Sequence, residues 1–205
     1  MGNINEKNYD NLSEAVAFVI AFVPMIYTYD DYAPIEYENV LCTRCGDHEQ
    51  SMDFRAPKAN IKKSYGILDM LEYGVNEEFR NELIQRFDIS EKDFRPVRNK
   101  IDDIVFYQIT PQHTMLPISS VNRVKALKPC RKCGSVQHRI NKYKNEKGNE
   151  YYYITKEALD DLHDLNKTSE RFDMFFPLYI VSRRVYEYMT EKEPRMRFFP
   201  MFLKG

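Results

Sequence analysis

Hydrophobic positions along this chain alternate between runs of strand period and stripes of helix period. Residues 15–27 (AVAFVIAFVPMIY) are the most apolar stretch. Thirteen residues interrupted by Pro24 fall short of the roughly twenty that a membrane-spanning helix needs, so the run is predicted to be core. Ile67, Leu68 and Leu71, then Phe79, Leu83 and Phe87 at intervals of four, predict a helical region, with Glu77, Glu78, Arg80, Asn81, Gln85 and Arg86 on its polar face. Residues 104–109 (IVFYQI), bounded by Asp103 and Thr110-Pro111, read as a strand. Residues 136–143 and 150–155 read as a hairpin whose turn uses Asn145, Lys147, Gly148 and Asn149. Thr155 is placed to cap a helix with Ala158, Leu159, Leu162 and Leu165 on one stripe. The chain closes with a strand in FDMFFPLYIVS, a short helix over 183–190 and a strand in RFFPMFL.

Without a regular strand–helix–strand rhythm, these elements predict an α+β fold of short antiparallel strands and several helices. It is read as a single domain over 1–205. A helix followed by Phe-x-Pro occurs in both 79–97 and 183–201, a likeness that chance also produces and that suggests two similar lobes, 1–100 and 101–205.

Composition narrows the function. A hydrophobic content of 43% over 205 residues supplies a sizeable core and excludes disorder as the main state, while only 7 Gly leave no glycine-rich loop to cradle a nucleotide. The net charge of -1 gives the whole molecule no long-range attraction to polyanions. Locally the balance is uneven: residues 1–54 hold ten acidic and two basic side chains, and residues 121–148 hold nine basic and one acidic. Ahead of the apolar run Glu6, Asp10 and Glu14 outnumber Lys7, unlike a secretory signal, and Glu6 stands where a lipidation signal following Gly2 carries Ser or Thr. A cytoplasmic location is expected, with no membrane span.

All 4 Cys lie in two copies of one five-residue pattern, Cys42-Thr43-Arg44-Cys45-Gly46 and Cys130-Arg131-Lys132-Cys133-Gly134. Two intervening residues let both sulfurs of a pair face one metal, and the following Gly permits the positive φ that turns backbone N–H groups toward thiolate. Four thiolates make a closed tetrahedral site, so one structural zinc ion per chain is expected on Cys42, Cys45, Cys130 and Cys133 in a two-knuckle, zinc-ribbon-like arrangement. Arg44, Lys128, Arg131 and Lys132 are placed to offset its charge. Free thiols, a disulfide within each pair, or a redox Cys-x-x-Cys compete with this reading. His48 and His138 lie just beyond the pairs and are candidates to replace a sulfur, or ordinary neighbouring histidines.

No catalytic motif is found, so an enzyme is not expected. His163 is read as a solvated histidine at a helix border, with Asp160, Asp161 and Asp164 as an exposed acidic face. The basic segment 121–148, with Tyr143, Tyr151, Tyr152 and Tyr153 as stacking faces, supports a zinc-ribbon nucleic-acid-binding protein; pairing of this segment with the acidic first quarter is the simpler reading. A third reading is a protein-binding patch in the acidic, Tyr-rich stretch, carried by Tyr29, Asp30, Asp31, Tyr32 and Glu36, for which an ordinary solvated loop is the simpler reading.

The two Cys-x-x-Cys-Gly turns about eighty residues apart, together with the closing SRRVYEYMTEKEPRMRFFPM (182–201), resemble the double-CxxCG-motif proteins. That family includes immunity proteins of myxobacterial toxin-exchange systems. Lys192, Glu193 and Pro194 stand in place of its usual Leu-Thr-Gly turn. The resemblance implies metal ligation by Cys42, Cys45, Cys130 and Cys133, and a non-catalytic protein that binds and neutralises a cognate toxin.

Overall fold

The computed structural model describes residues 4–22, 42, 65–68, 72–98, 101–172 and 177–205. Among them are twelve strands and four α-helices, a mixed α+β fold dominated by strands. The main sheet holds six strands in the order β10 (Leu165–Lys167), β11 (Tyr179–Ser182), β1 (Ala17–Phe22), β12 (Arg197–Leu203), β9 (Glu150–Ile154) and β8 (Tyr143–Lys144). Every pairing is antiparallel except β12 with β9. A second antiparallel sheet has the order β2 (Tyr65–Leu68), β3 (Glu72–Val75), β5 (Ile104–Ile109) and β4 (Phe94–Arg98). β6 (Arg123–Ala126) and β7 (His138–Asn141) form a separate ribbon.

The apolar run at 15–27 begins in the centre of the main sheet, where β1 is covered on both faces. Phe18 and Ile20 point into one core cluster, and Ala17 and Val19 into the other. A strand buried on both sides has no solvent face, which is why its sequence is continuously apolar rather than alternating. The first cluster fills the space between the two sheets and is completed by α2 (Glu77–Arg86) and α4 (Arg183–Lys192): Phe79 stacks on Tyr188 with ring centroids 5.7 Å apart, and Phe18 on Tyr186 at 3.6 Å. The second cluster joins Tyr152, Ile154, Ile180 and Met201 of the main sheet to Met115, Ile118 and Phe172, with Val124 and Ile140 of the ribbon packed against it. Each fully buried side chain of this size contributes about 1.5–3 kcal/mol.

The two helices preceding Phe-x-Pro occupy similar surroundings. β3 leads into α2 and then β4, and both strands flank β5; β11 leads into α4 and then β12, and both flank β1. Side-chain caps start α2 and α4, with Asn76 accepting from the Phe79 N–H at 2.8 Å and Ser182 from the Val185 N–H at 3.4 Å. The central strand of the second group comes from the opposite end of the chain.

Several local readings change. Ile67 and Leu68 lie in β2 rather than a helix, because Tyr65–Leu68 pairs with β3 in register and the helix starts only after the Asn76 cap; Leu71 lies outside the described residues. The predicted hairpin strand at 136–143 divides in two: His138–Asn141 pairs with β6, and Tyr143–Lys144 with β9. The turn between β8 and β9 is as read, with Gly148 at φ 78° and the Asn149 N–H donating to the Asn145 side chain at 2.9 Å. The helix after Thr155, α3, is only Lys156–Asp160. It ends because the Asn166 side chain takes the His163 N–H and donates to the His163 carbonyl, and Leu165 enters β10. Asp164 is buried, not part of an exposed acidic face: it accepts hydrogen bonds from Arg184, Ser182 and the Asp88 N–H. Among the described residues no helix is long and apolar enough to cross a membrane.

Candidate metal centre

The second cysteine pair sits at the closed end of the ribbon. β6 and β7 pair from Arg123 opposite Asn141 to Ala126 opposite His138, and the Leu127 N–H continues the ladder by donating to the Gln137 carbonyl at 2.8 Å. The turn closes on Cys130, whose N–H donates to Ser135 at 2.9 Å and whose carbonyl accepts from the Gly134 N–H at 2.8 Å. Gly134 has φ 79°, the left-handed conformation expected of the residue after the second Cys. Its partner Gly46 lies outside the described residues.

Three sulfurs converge at this turn. Those of Cys42, Cys130 and Cys133 all lie within 4.8 Å of one another, and the Cys42 and Cys130 sulfurs are 3.8 Å apart although separated by 88 positions. A tetrahedron with metal–sulfur bonds of about 2.3 Å has sulfur–sulfur edges of about 3.8 Å, whereas a disulfide requires about 2.05 Å. The three sulfurs stand at metal-sharing distance. Burial is graded: Cys42 is buried, Cys130 half-buried and Cys133 exposed. Soft thiol donors packed this closely suit a thiophilic metal ion.

The remaining predicted site residues divide as follows. Cys45, His48, Tyr29, Asp30, Asp31, Tyr32 and Glu36 lie outside the described residues. His138 is directed elsewhere, its backbone N–H donating to the Arg171 carbonyl at 2.7 Å and its ring nitrogen lying 3.3 Å from the same oxygen. Tyr143, Tyr151 and Tyr153 share one half-buried cluster, but Tyr152 faces the opposite side of the sheet and is fully buried, so it offers no stacking face.

One pairing was not anticipated. His163 stacks on His113 with centroids 4.0 Å apart, and the two imidazoles face Asp88 and Asp161 at 3.6 and 3.4 Å. Fifty residues separate the histidines, and no local pattern links them.

Comparison with protein-family models, curated proteins and solved structures found no match to this chain.

Proposed function

We propose that this chain is a non-catalytic, immunity-type protein that binds and neutralises a cognate toxin in the cytoplasm, and that one zinc ion on Cys42, Cys45, Cys130 and Cys133 holds its binding surface together. The observation that supports this reading is the convergence of Cys42 with Cys130 and Cys133, which brings thiols of both Cys-x-x-Cys-Gly turns to one point. The same two turns carry the resemblance to the double-CxxCG proteins. Zinc is the natural occupant because it is redox-inert and accepts four thiolates in a closed tetrahedron, leaving no coordination position for substrate. Such an ion serves architecture: closing so long a loop costs little more entropy than closing a short one, so one ion ties distant sequence effectively. Lys128, Arg131 and Lys132, all exposed beside the turn, offset the negative charge of a four-thiolate site.

The test has two arms. Elemental analysis of the purified full chain is expected to return one zinc per monomer. Co-expression with the toxin encoded beside it is expected to yield a co-purifying complex and protect the host. A chain that neither binds nor neutralises that toxin overturns the function, and metal-free folded protein overturns the staple.

A further inference from the structure

We propose that the outward side of the β6–β7 ribbon and the tyrosine cluster at the β8 end of the main sheet form one binding surface for single-stranded nucleic acid. The ribbon is amphipathic. Val124 and Ile140 pack against the second core cluster, so the other side of the ladder, bearing Arg123, Lys125, Arg139 and Asn141, is exposed. Lys125 stands directly opposite Arg139. Like charges at a cross-strand pair repel, and neither forms an ion pair with a described residue. Within residues 121–148, Lys142 lies 2.6 Å from Glu150 and Lys147 2.5 Å from Asp10, both away from the ribbon's outward side. Internal neutralisation therefore leaves the ribbon's outward charges uncompensated among the described residues, and a polyanion supplies the missing partner.

The aromatic half is contiguous with the ribbon. Tyr143 and Tyr151 stack at 5.6 Å, and Tyr153 meets both edge-on at 4.9 and 5.6 Å. The Arg123 guanidinium lies 5.0 Å from the Tyr143 ring centre, and the Lys204 ammonium 4.5 Å from that of Tyr153. Buried Asn122, at the foot of β6, fixes the junction: its side chain accepts from the Tyr153 N–H at 2.9 Å and donates to the Tyr153 carbonyl at 2.8 Å. Half-buried rings with cations set over Tyr143 and Tyr153 suit a strand that offers both unpaired bases and phosphates, whereas a duplex keeps its bases stacked internally. An acidic polypeptide would use the same cations but would gain nothing from stacking.

Fluorescence anisotropy of the full chain with labelled oligo(dT) and oligo(U) of about 15 nucleotides tests this. Binding is expected at low salt, with affinity falling steeply as salt rises. The double variant Lys125→Ala/Arg139→Ala should reduce the log–log salt slope by about 1.4, from about 0.7 per lost phosphate contact. Tyr151→Leu should weaken binding about tenfold without changing the slope, and Tyr153→Phe, which keeps its ring, should bind normally. All three variants should retain the parent's metal content. Absence of oligonucleotide binding at low salt overturns the proposal, as does equal binding of duplex, an unchanged affinity in Tyr151→Leu, or binding of poly-glutamate alone. Toxin capture is scored separately, so either reading can fail without the other.

Discussion

The Cys42 sulfur lies 3.8 Å from that of Cys130, which places a position in the first quarter of the chain at the tip of a hairpin in its second half. Closing a loop of 88 positions is worth about 4.6 kcal/mol in the chain-entropy account. For a domain of this size that corresponds to a fall in melting temperature of roughly 9–18 °C when a metal tie there is released. Cys133 offers the cleanest variant, because it is exposed and Cys133→Ser opens no core cavity. Chelation of the parent and Cys133→Ser should each lower the melting temperature by a similar amount, and chelation should then have no further effect on the variant. A melting curve indifferent to both treatments removes the staple.

Gly134 separates conformation from packing at the same turn. Its φ of 79° is unfavourable for residues with a Cβ, while a Cβ built there meets nothing within 4 Å. The cost of substitution is thus conformational, about 1–2 kcal/mol for Ala. Asn tolerates this region better than β-branched residues. A competition titration should rank zinc affinity as Gly134, then Gly134→Asn, then Gly134→Val. Equal affinity in all three would mean that the turn contributes nothing to the site.

What could be read in advance follows from how local each signal is. β5 and β12 were legible to the residue because an apolar, β-prone run and its flanking polar residues lie within a single window. The Cys130 turn and its positive-φ glycine were equally legible, since two-residue spacing is a local property. Partner choice was not. The stretch 136–143 contains strand formers, but whether His138 pairs with Ala126 or with a residue of β9 depends on contacts outside any short window. The buried role of Asp164 was hidden for the same reason, as its partner Arg184 is twenty positions away. Alternation did distinguish Tyr151 and Tyr153 from Tyr152 in principle, because successive strand residues face opposite sides.

Phe18 reports on the core that both sheets share. Its side chain is fully buried, stacked on Tyr186 and perpendicular to Phe198 at 6.5 Å. Phe18→Ala removes both ring contacts and leaves a cavity at the sheet centre, a loss of about 3–5 kcal/mol. Leu203→Ala, at a residue 44% exposed, should stay within about 0.5 kcal/mol. Urea midpoints of the two variants should therefore differ widely. If Phe18→Ala unfolds at the parent's midpoint, the described packing of α4 on β1 is wrong.

Asp164 sets the expected acid sensitivity. Its carboxylate accepts from the Arg184 guanidinium at 2.7 Å, the Ser182 hydroxyl at 2.5 Å and the Asp88 N–H at 2.7 Å. Burial alone pushes the carboxyl up, but these donors outweigh it, and its pKa lies below the ordinary aspartate value. A depressed value in the folded state means that its stabilisation is fully present above about pH 4, the value in the unfolded chain, and is lost as pH falls through the folded value. Asp164→Asn discards the ionised acceptor at every pH and directs an amide N–H at donors, for a loss of about 2–4 kcal/mol at neutral pH. The gap between parent and variant should narrow as the parent's carboxyl is protonated at the acid end. Denaturant titrations at neutral and acidic pH measure that gap directly, and a constant difference would show that the buried charge contributes nothing to the pH dependence of folding.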